Sequence, residues 1–167
     1  DSTNMAIFGF EMMNDNIYIA YALSSDEVFV KSYSSTGAEL NSWQIPASFS
    51  ATISRVSMCS GDNKIFVTYP DNQTTPVQKM VALDENLAVI GSVFSFDSLV
   101  SDVNQIKIEY HGGRVYAALT YYFPVTPPTN DNRLYLYAFN NDLTSPTLVY
   151  SAQNTFSPDT YFIQTAA

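Results

Sequence analysis

"GDNKIFVTY", at Gly61–Tyr69, is a tight-turn sequence running into a β-rich strand. The same phrase stands twice more in the chain, as "NDNIYIAY" at Asn14–Tyr21 and "GGRVYAALTYY" at Gly112–Tyr122. Asp15-Asn16, Asp62-Asn63-Lys64 and Gly112-Gly113-Arg114 are turn sequences that tolerate positive φ in hairpins. Ile17, Ile65 and Val115 hold the same place after those turns, 48 and 50 residues apart. A period of this length takes precedence over local features, because it decides the architecture.

The register extends in both directions. "VFVKSYSSTGAEL" from Val28 matches "VQKMVALDENLAV" from Val77 and "RLYLYAFNNDLTS" from Arg133, each a strand ending in a polar turn. Tyr33, Leu83 and Phe139 correspond, 50 and 56 residues apart. The added length of the third copy lies in a Pro-rich insertion, "FPVTPPTNDN". "LNSWQIPAS", "AVIGSVFSF" and "PTLVYSAQN" read as a fourth strand in each copy, and "MAIFGFEMM", "TISRVSMCS" and "NQIKIEYHG" as a first. A further first strand, Thr160–Thr165, follows in "DTYFIQTAA".

Four-stranded units repeating every 40–50 residues or roughly so are β-propeller blades. The expected fold is therefore all-β: a partial β-propeller of three four-stranded antiparallel blades plus the first strand of a fourth. The blades fall at residues 1–51, 52–98 and 99–159, with the next starting at 160–167. Boundaries lie near Ala51 and Leu99. A β-sandwich is the alternative, since short strands at regular spacing read alike. Period-2 alternation predicts Ile17, Ile19, Ile65, Val67, Val115 and Ala117 on one sheet face, buried between blades.

The order of features across Val28–Tyr69 resembles the SBBP-type β-propeller repeats of bacterial and protist surface proteins. There a strand runs into Ser-x-Gly and a Trp-bearing strand, then an inner strand, a Gly-Asn turn and a strand ending in Thr. "VFVKSYSSTGAELNSWQI" followed by "ISRVSMCSGDNKIFVTY" has that order. The second and third copies lack the Ser-x-Gly and the Trp. The resemblance implies a surface-protein scaffold and no reaction.

Propellers close with about 4–8 blades. Three blades leave two open flanks, which are apolar and prone to association. The expectation is that missing blades of a longer protein, or another protein chain, cover them. The last strand stops where a turn would follow, which favours a longer protein; several copies completing one ring is the other solution.

Composition narrows the partners. Of the 167 residues 46% are apolar, with twelve Tyr and eleven Phe, enough for a packed core. The net charge of −9 repels phosphate, so neither nucleic acid nor an anionic membrane surface is an expected partner. No apolar run reaches membrane-span length. Cys59 is the only cysteine, so no internal disulfide forms and no zinc cluster is expected. A small, buried, inert thiol is expected there. Asn72-Gln73-Thr74 is a candidate N-glycosylation sequon in "PDNQTTP", a slight pointer to an extracellular or cell-surface setting.

Signals for chemistry are sparse. His111 is the only histidine and sits at a turn; no G-x-S-x-G pattern accompanies it. Asp26-Glu27 and Asp84-Glu85 read as solvated turn acids. The sialidase-type Asp-box, Ser-x-Asp-x-Gly-x-Thr-Trp, is absent. "DNQTTP", "NDNRLY" and "NNDL" offer oxygens for calcium but match neither an EF-hand loop nor the Asp-rich loops of integrin-type propellers. No catalytic, cofactor or metal residue is assigned. A binding reading attaches to Tyr116 and to Tyr121, Tyr122, Phe123, Pro127 and Pro128 around the insertion, because exposed aromatics stack on sugars and anchor interfaces. A loop longer than its repeat mates is also where function enters a scaffold. The expected function is a non-enzymatic structural or protein-interaction module, extracellular or cell-surface. The alternatives are a carbohydrate-binding propeller with glycans as partners, and a fragment of a propeller enzyme whose catalytic residues lie elsewhere.

Overall fold

The computed structural model describes residues 6–24, 27–46, 56–71, 77–96, 103–123 and 131–154. Within them run twelve strands in three four-stranded antiparallel meanders. The first sheet holds β1 (Ala6–Met13), β2 (Asn16–Ser24), β3 (Glu27–Tyr33) and β4 (Glu39–Gln44). The second holds β5 (Ser57–Gly61), β6 (Lys64–Pro70), β7 (Gln78–Leu83) and β8 (Val89–Ser95). The third holds β9 (Val103–His111), β10 (Arg114–Phe123), β11 (Asp131–Asn140) and β12 (Thr147–Asn154).

The repeated turn sequences form the same hairpin three times. Asn14-Asp15, Asp62-Asn63 and Gly112-Gly113 all have positive φ, at 51°/62°, 54°/57° and 58°/80°. These are two-residue turns whose twist matches that of the flanking strands. Register follows: Ile17 pairs with Met12 and Tyr33, Ile65 with Ser60 and Leu83, Val115 with Tyr110 and Phe139. The three positions read as equivalent in the sequence are equivalent in the sheets.

A second repeated device joins the third strand of each sheet to its fourth. The amides of Ser34, Asp84 and Asn140 donate to the carbonyls of Ala38, Ala88 and Thr144. The residue before each of those carbonyls is left-handed: Gly37, Leu87 and Leu143, at φ 84°, 63° and 62°. Leucine is unfavourable in that region. Both leucines are nonetheless buried between sheets, and that burial offsets the strain.

The sheets pack in series. β1 lies against β5 and β5 against β9, so the first strand of each sheet is innermost. The Ile108 amide of β9 donates to Ser57 Oγ of β5 at 3.2 Å. One core lies between the first and second sheets, where Tyr18, Val28 and Val30 meet Ile65, Val67, Val81 and Leu83. The other lies between the second and third, where Phe66, Met80 and Phe96 meet Ile106, Val115, Leu119 and Phe139. The inner strands of the middle sheet are buried on both faces, hence the unbroken burial of β6 from Ile65 to Pro70, whereas β8 is mostly exposed. A sandwich has two sheets; three in series form an all-β partial propeller.

The expected burial needs one correction. Ile65, Val67, Val115 and Ala117 are buried, whereas Ile17 and Ile19 are only half-buried. The three pairs face the same rotational sense. In the second and third sheets that sense points at the preceding sheet, and in the first it points outward. Ala51, Leu99 and Thr160–Thr165 lie outside the described residues.

Candidate interaction surface

Antiparallel pairing puts cross-strand partners on one face. Phe10 pairs with Ile19 and Met12 with Ile17, so these four share the outward face of the first sheet. Ile19 also pairs with Lys31, and Ile17 with Tyr33. The face is apolar and wet: Ile7 is 67% exposed, Phe10 58% and Met12 63%. Lys31 bridges to Glu39 at 2.9 Å and lies 5.9 Å from the Phe29 ring centroid. That exposed pair adds little stability.

The outward face of the third sheet is mixed. Tyr116 and Ala118 of β10 pair with Glu109 and Lys107 of β9; Ala118 also pairs with Leu136, which pairs with Tyr150. Tyr150 is 55% exposed. Toward the hairpin turn, Arg114 Nε is buried and has no hydrogen-bond partner among the described residues.

Near the axis, the hairpin register brings Glu11, Cys59 and Glu109 to one position, paired with Tyr18, Phe66 and Tyr116. Ser60 Oγ donates to Glu11 Oε2 at 2.8 Å. Burial raises the Glu11 carboxyl above its ordinary range; the Ser60 bond opposes that, and the like charge of Glu109 adds to it. Burial also pushes the Cys59 thiol well up, reinforced by Glu11 and Glu109. A thiol held protonated in this way is a poor nucleophile. Sequence reading passed over Glu11 and Glu109; aligning the three hairpins residue by residue is the signal that finds them.

The aromatic cluster falls differently from its sequence reading. Tyr121, Tyr122 and Phe123 belong to β10 rather than to a loop, paired with Arg133, Asn132 and Asp131. Their side chains, and Pro127 and Pro128, lie outside the described residues, as do Asp26 and Asn72. Asp71 and Val77, the described residues on either side of 72–76, are hydrogen-bonded to each other: the Asp71 amide donates to the Val77 carbonyl and the Val77 amide to Asp71 Oδ1. His111 is exposed at the end of β9.

The turn acids serve their turns. Asp84 Oδ1 accepts from the amides of Asn86 and Ala88 at 2.9 and 2.8 Å. Asp142 Oδ1 accepts from the Thr144 amide and hydroxyl, and these bonds lower its pKa. Among the described residues no group of three or more His, Cys, Asp or Glu side chains is placed to hold a metal ion. No helix there is long and apolar enough to cross a membrane.

No protein-family model matches the chain, and no curated protein matches it. Among solved structures, the chain is similar to the GH32 beta-fructofuranosidase of Bombyx mori. A point mutant of that enzyme in complex with sucrose aligns at a TM-score of 0.50 with 12% identity, over 87% of this chain and 34% of the enzyme. A second structure of the enzyme gives 0.49 at the same identity and coverage. The chain thus spans about a third of the length of that enzyme. At this identity the likeness speaks for the fold alone, a β-propeller arc.

Proposed function

We infer that the chain is a non-enzymatic structural and protein-interaction module, an arc of propeller blades offering its two end faces to further protein surface. One observation carries this reading: Phe10 and Met12 lie more than half exposed beside Ile17 and Ile19 on a sheet whose other face is core. Contiguous wet apolar surface of this kind marks interaction sites. The protonated thiol at Cys59 and the turn-bound acids support a role without chemistry. An extracellular or cell-surface setting belongs to the same reading, supported by the resemblance to SBBP-type repeats and by the sequon at Asn72.

The test is binding of an anilinonaphthalene sulfonate dye to the full chain. Fluorescence should rise with the native protein and fall in Phe10→Lys and Met12→Lys. Equal fluorescence in the variants would contradict the reading. A glycan array run in parallel separates out the carbohydrate-binding alternative, for which a saturable hit would count.

A further inference from the structure

The sulfur atoms of the described residues fall into two groups. Met13, Met58, Met80 and Cys59 are buried, at 9%, 6%, 0% and 1% exposure. Met12 is 63% exposed. Met12 and Met13 are neighbours in β1, and strand alternation sends their side chains to opposite faces. Met13 packs in the core between the first and second sheets. Met12 stands on the outward face of the first sheet, two residues from Phe10 and paired with Ile17. The backbone beneath it is fixed by that pairing, and its carbonyl also accepts from Ser60 Oγ at 3.4 Å.

This placement separates the sulfurs by reactivity. A thioether is apolar and its sulfoxide is polar, and conversion needs an oxidant that reaches the sulfur lone pair. Dissolved peroxide reaches Met12 and is kept from the four buried sulfurs. Cys59 is a poor competitor on a second count, because burial holds its thiol protonated.

We propose that Met12 is a reversible oxidation site whose sulfoxide turns off the interaction surface of the first sheet. The proposal rests on the interaction reading and supplies its regulation. The oxidant is hydrogen peroxide. The sulfur lone pair attacks one peroxide oxygen; the S–O bond forms as the O–O bond breaks. Sulfur gives up two electrons, and the second oxygen leaves as water after proton transfer. A methionine sulfoxide reductase reverses the step: two of its thiols become a disulfide, and the sulfoxide oxygen leaves as water. In the oxidised state a strong S–O dipole stands beside Phe10 and Ile17. A partner surface that covers it must strip water from the sulfoxide oxygen, a cost the thioether does not carry. Met12 reacts while the face is uncovered, and its sulfoxide then opposes covering.

The experiment treats the full chain with hydrogen peroxide, removes the peroxide with catalase and follows each methionine by peptide mass spectrometry. Met12 should gain one oxygen at least about tenfold faster than Met13, Met58 and Met80, which react only through local opening. Fluorescence of the anilinonaphthalene sulfonate dye should fall in step with Met12 oxidation. It should return after treatment with the reductase and dithiothreitol. In Met12→Leu the fluorescence, whatever its starting level, should not respond to peroxide; a response there would assign the effect to another residue and overturn the proposal. Oxidation of Met13, Met58 or Met80 as fast as Met12, fluorescence unchanged once Met12 is oxidised, or no recovery with the reductase overturns it too. If Phe10→Lys still lowers the fluorescence in those cases, the interaction reading stands without its switch. A native chain that binds no dye overturns both. Circular dichroism should be unchanged by oxidation; a lost strand spectrum overturns the switch, because the effect would then be unfolding.

Discussion

Gly61 lies against the ring of Tyr110: a Cβ at that glycine would overlap the ring at Cδ1, Cγ and Cε1. The ring is held there by stacking on Phe66, centroids 5.7 Å apart and planes 9° from parallel. The third sheet reaches the second at this depth because residue 61 has no side chain. Gly61→Ala should therefore cost about 1–3 kcal/mol, the usual range for overpacking a filled core. Urea midpoints measure it. Adding Tyr110→Ala removes the obstacle, so the double variant should lose less than the sum of the singles. Strict additivity would mean that ring and glycine do not conflict.

Ile65 and Ile17 are the same residue of the repeat in different surroundings. Ile65 is fully buried between two sheets, and Ile17 is half-buried on an end face. Ile65→Ala should cost about 2–5 kcal/mol. Ile17→Ala should cost under about 1 kcal/mol at concentrations where the chain is monomeric, as expected for a site whose wall is solvent. Guanidinium denaturation of the two variants checks the difference. Equal costs would place Ile17 in an interior.

The same pair shows what the sequence discloses. Turn residues and period-2 alternation place Ile17, Ile65 and Val115 in register, because hairpin geometry is local. Which copy sits in the middle is a matter of neighbours, and it leaves a weaker trace. "KIFVTY" is an unbroken β-rich run buried on both faces, whereas "NIYIAY" and "RVYAAL" alternate. The hydrogen bonds that Tyr18 Oη donates to the Glu85 carbonyl and Lys64 Nζ to the Asn141 carbonyl were not legible, since the first joins residues 67 positions apart and the second 77. The column of Glu11, Cys59 and Glu109 emerges only when the three hairpins are aligned residue by residue, because a cysteine stands between the two glutamates. In the sequence Tyr121, Tyr122 and Phe123 group with the Pro-rich insertion as an interaction loop, but β10 continues through all three.

Leu143 tests two opposed terms at one residue. It sits at φ 62° and is buried between the second and third sheets. Leu143→Gly relieves about 1–2 kcal/mol of left-handed strain and forfeits about 2–5 kcal/mol of packing. Packing wins, so a net loss of about 1–3 kcal/mol is expected. Gly37→Ala isolates the strain, because that turn opens into empty space at φ 84°. It should cost about 1 kcal/mol or slightly more. Thermal unfolding of both variants separates the terms; a more stable Leu143→Gly chain would show that strain outweighs burial.

Glu11 makes stability depend on pH in a direction fixed by its surroundings. Burial first, and the charge of Glu109 after it, raise its pKa above the 4.5 of a free glutamate, against the pull of Ser60. A carboxyl whose folded pKa is raised binds its proton more tightly in the native state. Its stabilising contribution is therefore complete below pH 4.5 and is lost as the pH climbs through the raised value. Glu11→Gln keeps an oxygen to accept from Ser60 Oγ and carries no charge at any pH. The variant should be more stable than the native chain at neutral pH, and the gap should close as the pH falls to the free-glutamate value. Chemical denaturation at a series of pH values reads the gap directly. A gap that widens toward acid would mean that the native chain needs Glu11 ionised, and that the Ser60 bond outweighs both burial and Glu109.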